Sequence, residues 1–262
     1  MSEAATKATA PWSPLLKSHL TASKSKSFTL STVTHHPASG LPVPRSRTCE
    51  LRGFFPAVLS LHPSAAEALD AQGIGRLPHG LESDMPVFTT DIRMAKVGEL
   101  GVSGGQVEGV FWVEEVQVQW RVRGGTVVLG GGEEEQKGRE GVWDGVRGKD
   151  SGQQGGGEGE WGWERMVTTY FASHSPVMRG TFRNPPPGEP RSKYPETSEL
   201  KIGQKVEDLK DPVARRNFRV VVIKPEEVEM LDLSKAPDAV RKRWTVVRDG
   251  DTEKWEEVEL WP

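Results

Sequence analysis

The sequence is poor in most of the features that would declare a specialised class. It has one cysteine in 262 residues, which excludes a disulfide framework and a thiolate metal cluster. Neither sign of charge dominates: 34 Lys and Arg stand against 37 Asp and Glu, for a net charge of -3, so a basic footprint for general nucleic-acid binding is missing. No apolar run approaches the roughly 20 residues needed to span a bilayer. The opening MSEAATKATAPW lacks the hydrophobic centre of a secretion signal and the arginines of a transit peptide. A cytoplasmic protein that does not act at membranes is therefore expected. What remains is a chain long enough for one domain with a proper core.

Residues 1–10 are expected to be flexible, and 11–262 to form a single domain. In WSPLLKSHL, Trp12, Leu15, Leu16 and Leu20 recur near helical spacing, with Ser13 placed to cap and Pro14 behind it. Phe28–Val33 alternates as a strand. The adjacent His35 and His36 would point to opposite faces of a strand, which argues against a shared metal. Arg45–Phe55 is the second strand, with Arg47, Cys49 and Leu51 on one face. Pro63–Gln72 reads as a short helix capped by Ser64.

Phe88–Leu100 carries the sharpest local signal. A strand ends in Thr89, Thr90 and Asp91, and a short helical segment follows with Lys96 about a turn in. Hydroxyls, backbone N–H groups and a helix start converging at one point suit an anion, most simply a phosphate. Downstream, Val107–Val128 is β throughout, in two strands meeting near Glu114 and Glu115. Val116, Val118, Trp120 and Val122 take one face; Gln117, Gln119, Arg121 and Arg123 take the other.

Residues 130–160 are Gly-rich and of low complexity, and are expected to be a disordered insertion. GVRGKDS within it fails as a phosphate loop, since Trp143 stands at the first glycine and Asp150 where Ser or Thr should follow the lysine. Trp163, Met166, Val167, Tyr170 and Phe171 then form an amphipathic stripe over Glu160–Ser173. Asp211 with Pro212 starts a helical turn. Four strands close the chain: Asn217–Lys224, Glu227–Leu233, Arg241–Arg248 and Lys254–Trp261, the last two joined by a hairpin. Without βαβ alternation, the fold class is mainly β with some α: an antiparallel barrel with peripheral helices.

The order of these motifs resembles the pyridoxamine 5'-phosphate oxidase-like FMN-binding split-barrel family, in particular a subgroup with an extended N-terminal helix and a Pro/Gly stop. The resemblance rests on Arg47–Arg52, on Phe88–Asp91 with Lys96, and on Gln119–Gly124. It continues through Ser175–Gly188 and the closing strands with Asn217, Glu229, Arg243 and Glu259–Pro262. It implies FMN as cofactor, with Arg47 and Lys96 on the phosphate and Thr90 donating to it. It places Arg52 and Thr89 nearer the isoalloxazine ring, Gln119 facing the flavin, and Arg243 reaching it from the partner subunit of a homodimer. Met94 departs from the usual serine, Leu231 from a flavin-contacting tryptophan, and Ala239 and Arg241 from the arginine and histidine used on pyridoxal phosphate. The functional expectation is an FMN-dependent oxidoreductase other than pyridoxamine phosphate oxidase proper, acting on an unnamed small molecule with an unnamed electron donor. The alternative is a non-enzymatic flavin-binding or β-barrel interaction module. No metal site is expected, and no catalytic acid, base or nucleophile is singled out, because flavin chemistry needs none.

Overall fold

A computed structural model describes residues 9–77, 80–130, 140–148, 162–250 and 252–262. Most of the N-terminal stretch expected to be flexible lies outside the described residues. In chain order come α1 (Ser13–Ala22), β1 (Ser27–His35), β2 (Pro42–Phe54), β3 (Ala57–Val58), α2 (Pro63–Ala71), β4 (Leu81–Glu82), β5 (Pro86–Asp91) and α3 (Ala95–Val102). They are followed by β6 (Gln106–Val113), a 3-10 turn (Glu114–Val116), β7 (Val118–Leu129), α4 (Glu140–Trp143), β8 (Arg147–Gly148) and α5 (Trp163–Ala172). After α6 (Pro176–Gly180), a 3-10 turn (Thr181–Arg183) and α7 (Pro212–Asn217), the chain closes with β9 (Phe218–Asp232), β10 (Val240–Asp249) and β11 (Thr252–Leu260). No described helix is long and apolar enough to cross a membrane.

The chain forms two compact units, where length suggests one domain. The first comprises Ala8–Leu51, Glu99–Thr126 and Ile223–Pro262; the second includes Arg52–Gly98 and Val127–Val222. The boundaries fall inside β2, α3, β7 and β9. Length alone does not register a 15-residue strand such as β9, which gives Val220 and Val222 to the core of the second unit and the buried Val228 and Met230 to the first.

In the first unit the strands run β11-β10-β9-β7-β6-β1-β2, each hydrogen-bonded to the next. The period-two reading of β7 holds where it matters: Val118, Trp120 and Val122 are buried. It fails one residue earlier. Val116 belongs to the 3-10 turn at the expected junction near Glu114 and Glu115, and Gln117 takes a left-handed conformation with φ 53°, so the second strand starts at Val118 rather than Val116. The core is aromatic. Phe28 stacks on Phe111 at 4.7 Å, Trp120 on Trp244 at 6.0 Å, and Trp12, just before α1, meets Trp255 edge-on at 5.6 Å. Gly124 is dictated by packing: a Cβ there would lie 1.9 Å from the Lys224 carbonyl oxygen, so only glycine lets these strands approach. Pro225 does not interrupt β9, which replaces the two strands expected over 217–233 with one.

In the second unit β5 pairs antiparallel with β9 over Val87–Asp91 and Phe218–Val222. Buried Val87, Phe218, Val220 and Val222 pack with Met166, Val167, Tyr170 and Phe171 of α5, so the aromatic stripe is core, as its spacing indicates. Asp211 caps α7 as expected, its Oδ1 accepting from the Val213 and Ala214 N–H groups at 3.1 and 2.8 Å. The cap of α2 is His62 rather than Ser64, the Ser64 N–H donating to His62 Nδ1 at 3.2 Å. Trp12, not Ser13, precedes α1, without a side-chain cap bond; the buried Ser13 is the first helical residue.

The Gly-rich stretch departs from its reading as a disordered insertion in the part that is described. Within 140–148, Val142 is fully buried, and Trp143 meets Phe55 and Trp163 edge-on at 5.7 and 5.5 Å. Arg147 pairs with Asp84 at 2.8 Å and Glu82 at 3.1 Å, beside the two-residue β4–β8 ladder. Low complexity hid these residues because composition averages over them; the remainder of the stretch lies outside the described residues.

Candidate functional site

The β5–α3 junction in the second unit gathers four of the expected residues or their neighbours. β5 is buried except at Thr89, which is partly open. At the strand end, Lys96 Nζ donates to Thr90 Oγ1 at 3.1 Å and lies 2.9 Å from Met94 Sδ. The thioether thus sits beside both the ammonium and the hydroxyl, with Thr90 Oγ1 3.6 Å from the same sulfur. Asp91, which would repel an anion, is neutralised locally. Its carboxylate takes a fork of bonds from the Arg93 guanidinium at 2.9 and 2.6 Å, and accepts from the Arg93 N–H at 2.9 Å. Arg93 is anchored in turn to the Asn184 carbonyl at 3.0 Å. Sequence reasoning passed over Arg93; the short Asp-x-Arg spacing is the only signal it leaves.

One turn of chemistry further along β5, Thr89 Oγ1 lies 2.9 Å from Nε2 of His174, which follows α5. His174 is buried. Burial, reinforced by the nearby charges of Arg52 and Arg179, holds its pKa down to about 3. Thr89, Arg52 and His174 therefore share one electrostatic neighbourhood within this unit. Nothing in the sequence marks His174, since the contact spans 85 positions.

The other expected residues lie in the first unit. Arg47 on β2 donates through Nη1 to Thr32 Oγ1 at 2.6 Å and pairs through Nη2 with the Glu99 carboxylate. Glu99 also accepts from Thr32 Oγ1 at 2.6 Å and has Arg45 at 3.8 Å. A buried carboxylate thus organises two arginines and a threonine, and sequence reasoning did not identify it. Gln119 on β7 stands opposite Trp112 of β6 and is half-buried. Arg243 on β10 stands opposite Glu229 of β9 and Val258 of β11. Buried Glu229 instead engages Arg121 at 2.7 Å and Arg241 at 2.8 Å, and Arg243 makes no ion pair among the described residues. Apart from Lys96 on α3, the expected residues lie on the strands β2, β5, β7 and β10. Among the described residues no three His, Cys, Asp or Glu side chains group as a metal site.

Residues 9–130 match the family model of the pyridoxamine 5'-phosphate oxidase FMN-binding domain. Among solved structures, the chain is similar to a pyridoxamine 5'-phosphate oxidase-related, FMN binding protein from Nostoc punctiforme. The identity is 19% and the TM-score 0.62, over 98% of this chain and all of that one. It is also similar to PhzG from Burkholderia lata, solved with tetrahydrophenazine-1-carboxylic acid, at 16% identity and TM-score 0.45 over 100% and 97% of the two chains. Among curated protein sequences nothing matches. The likeness to the Nostoc protein shows the fold: a mainly antiparallel split β-barrel with peripheral helices, in agreement with the reading from strand order.

Proposed function

We propose, for a chain whose residues 9–130 match the family model of the pyridoxamine 5'-phosphate oxidase FMN-binding domain, that it is an FMN-binding flavoprotein and an FMN-dependent oxidoreductase. The observation that carries the cofactor reading is the Lys96–Thr90 pair at the β5–α3 junction. An ammonium and a hydroxyl converge there, with the local carboxylate already held by Arg93. That donor set fits a phosphate dianion, which favours charge-assisted bonds. Bound FMN would supply the redox chemistry; the chain's own part is to hold the phosphate, orient the ring and set its hydrogen bonds. We assign Lys96 and Thr90 to the phosphate, and Thr89 and Arg52 to the ring side. The family resemblance adds Arg47 on the phosphate, Gln119 on the flavin and Arg243 from a partner chain. Ala239 offers no charge toward a phosphorylated pyridoxal compound, so pyridoxamine phosphate is a poor substrate in this reading. The protein acts as a cytoplasmic homodimer.

The test is the visible spectrum and FMN titration of the purified chain. Wild type is expected to be yellow or to take up FMN with quenching of its fluorescence, and to be bleached anaerobically by a reductant and restored by an acceptor. Lys96→Ala should weaken FMN binding at least tenfold, since a charged hydrogen bond contributes roughly 1.5–3 kcal/mol. Unchanged affinity in Lys96→Ala would remove the phosphate assignment; a wild type that takes up no flavin would remove the cofactor.

A further inference from the structure

Thr89 is the partly open residue of an otherwise buried strand, and its hydroxyl carries a single proton. Whether it offers that proton to a ligand depends on what it does with His174. The imidazole is 5% exposed and sits edge-on to Phe182 and Phe218 at 6.0 and 5.8 Å. Its backbone is fixed by Arg179, whose Nη1 donates to the His174 carbonyl at 2.7 Å and whose Nε donates to the Val206 carbonyl at 2.8 Å. Nε2 faces Thr89 Oγ1 at 2.9 Å, while Nδ1 is buried with no hydrogen-bond partner among the described residues.

Two neutral tautomers are open to such a ring. With the proton on Nδ1, a buried N–H would be left unmatched in surroundings made positive by Arg52 and Arg179. With the proton on Nε2, only a lone pair is left unmatched, and the positive surroundings favour it there. An orphaned buried donor is the rarer and costlier defect. The Nε2–H form is selected, and it must donate to Thr89 Oγ1.

We propose that His174 is a positioning residue for the flavin: by donating from Nε2–H to Thr89 Oγ1, it commits the Thr89 hydroxyl proton outward, as a donor to an acceptor atom of the isoalloxazine ring. The inference rests on the FMN-binding reading above and deepens it. The ring's carbonyl oxygens and unprotonated nitrogens are acceptors, so a fixed donor is matched to them, whereas a hydroxyl spent on His174 would present only lone pairs. The same device favours an acceptor over an N–H or O–H at this point, because the proton is committed outward and His174 already takes one of the two lone pairs of Oγ1.

Two measurements test this on the full chain. Nitrogen-15 NMR of histidine-labelled protein without added FMN reads the tautomer; Nε2–H is expected, unchanged between pH 8 and pH 5, and an Nδ1–H ring would overturn the proposal. FMN titration then compares His174→Leu, His174→Gln and Thr89→Val. His174→Leu should bind FMN about tenfold more weakly, the scale of one hydrogen bond. His174→Gln, whose amide N–H can stand in for Nε2–H, should recover most of that loss. On a Thr89→Val background the leucine change should add nothing. An equal loss on that background would mark His174 as merely structural and overturn the proposal, as would wild-type affinity in His174→Leu. Should the leucine variant fail to fold, the NMR tautomer and the glutamine variant still decide. A wild type that takes up no FMN would overturn the cofactor reading and this inference together; binding by wild type with no effect at position 174 overturns this inference alone.

Discussion

Glu99 has a side chain only 7% exposed, and a carboxylate so placed needs partners to offset its lost hydration. Arg47 and Thr32 supply them. Removing Arg47 would leave the carboxylate with Thr32 and with Arg45, which is 57% exposed and 3.8 Å away. Arg47→Ala is therefore expected to lose about 3 kcal/mol of stability, as breaking a buried pair does. Arg47→Ala combined with Glu99→Gln should regain most of it, read as urea midpoints at constant slope. If the single variant melts with wild type, the pair is not what holds β2 and α3 of this unit together. Cofactor affinity measured on Arg47→Ala alone would mix loss of a ligand with loss of this pair, so Lys96 is the cleaner position to change. His174 gives a residue-scale prediction in pH. Its folded pKa of about 3 lies below the ordinary imidazole value of 6.5, so the unfolded chain takes up a proton that the folded one refuses. The stability it contributes is whole above pH 6.5 and is lost as pH falls toward 3, at about 1.4 kcal/mol per unit. Between pH 6.5 and pH 5 wild type should lose about 2 kcal/mol more than His174→Gln; parallel pH profiles would show that the ring is not held neutral.

The elements divide by what their sequence signals report. The α5 stripe and the alternation of β7 were legible because both are periodic and local: Met166, Val167, Tyr170 and Phe171 are buried on one helix, and Val118, Trp120 and Val122 on one strand. The β5–α3 junction was legible too, since Thr90 and Lys96 are six positions apart. Glu99 with Arg47 was not, nor His174 with Thr89, because these contacts span 52 and 85 positions and no local pattern encodes them. The α4–β8 segment was lost for a different reason. Its nine residues carry one buried valine, one packed tryptophan and one buried arginine inside a run of glycine and glutamate, too few to lift an average. They nevertheless pack in the core of the second unit. Arg147→Ala should take from Asp84 and Glu82 the guanidinium they share and cost about 1–3 kcal/mol, since partly buried charged hydrogen bonds are lost. Val142→Ala should cost about 1–2 kcal/mol for the cavity. Thermal unfolding of the two variants checks this. Full retention of stability in both would mean that α4 and β8 merely rest on the second unit.

At the scale of the molecule the open question is assembly, and the first unit supplies the argument. Its sheet ends in β11, where Val258 is 50% exposed and stands opposite Arg243 on β10. Trp112 on β6 is 49% exposed. Scattered exposed apolar residues are ordinary on a monomer, so they weigh little alone. Arg243 adds to them: Arg121 and Arg241 share the buried Glu229, while Arg243 has no ion pair among the described residues. An arginine beside an exposed valine on a strand at the end of a sheet is placed to meet an anion or another chain, and arginine and tryptophan are enriched at such contacts. A two-fold pairing would use the same patch on both chains and create two equivalent sites, with roughly 2,000 Å² or more buried in total for an obligate dimer. Light scattering should give twice the chain mass at micromolar concentration. Val258→Lys, which places a like charge opposite Arg243, should shift the population toward monomer. If Arg243 serves the partner's flavin, FMN affinity should fall with the dimer, and Arg243→Ala should weaken FMN binding without dissociating the chains. A Val258→Lys monomer that holds FMN as tightly as wild type would place Arg243 within its own chain's chemistry and leave the two-fold without a role in the cofactor site.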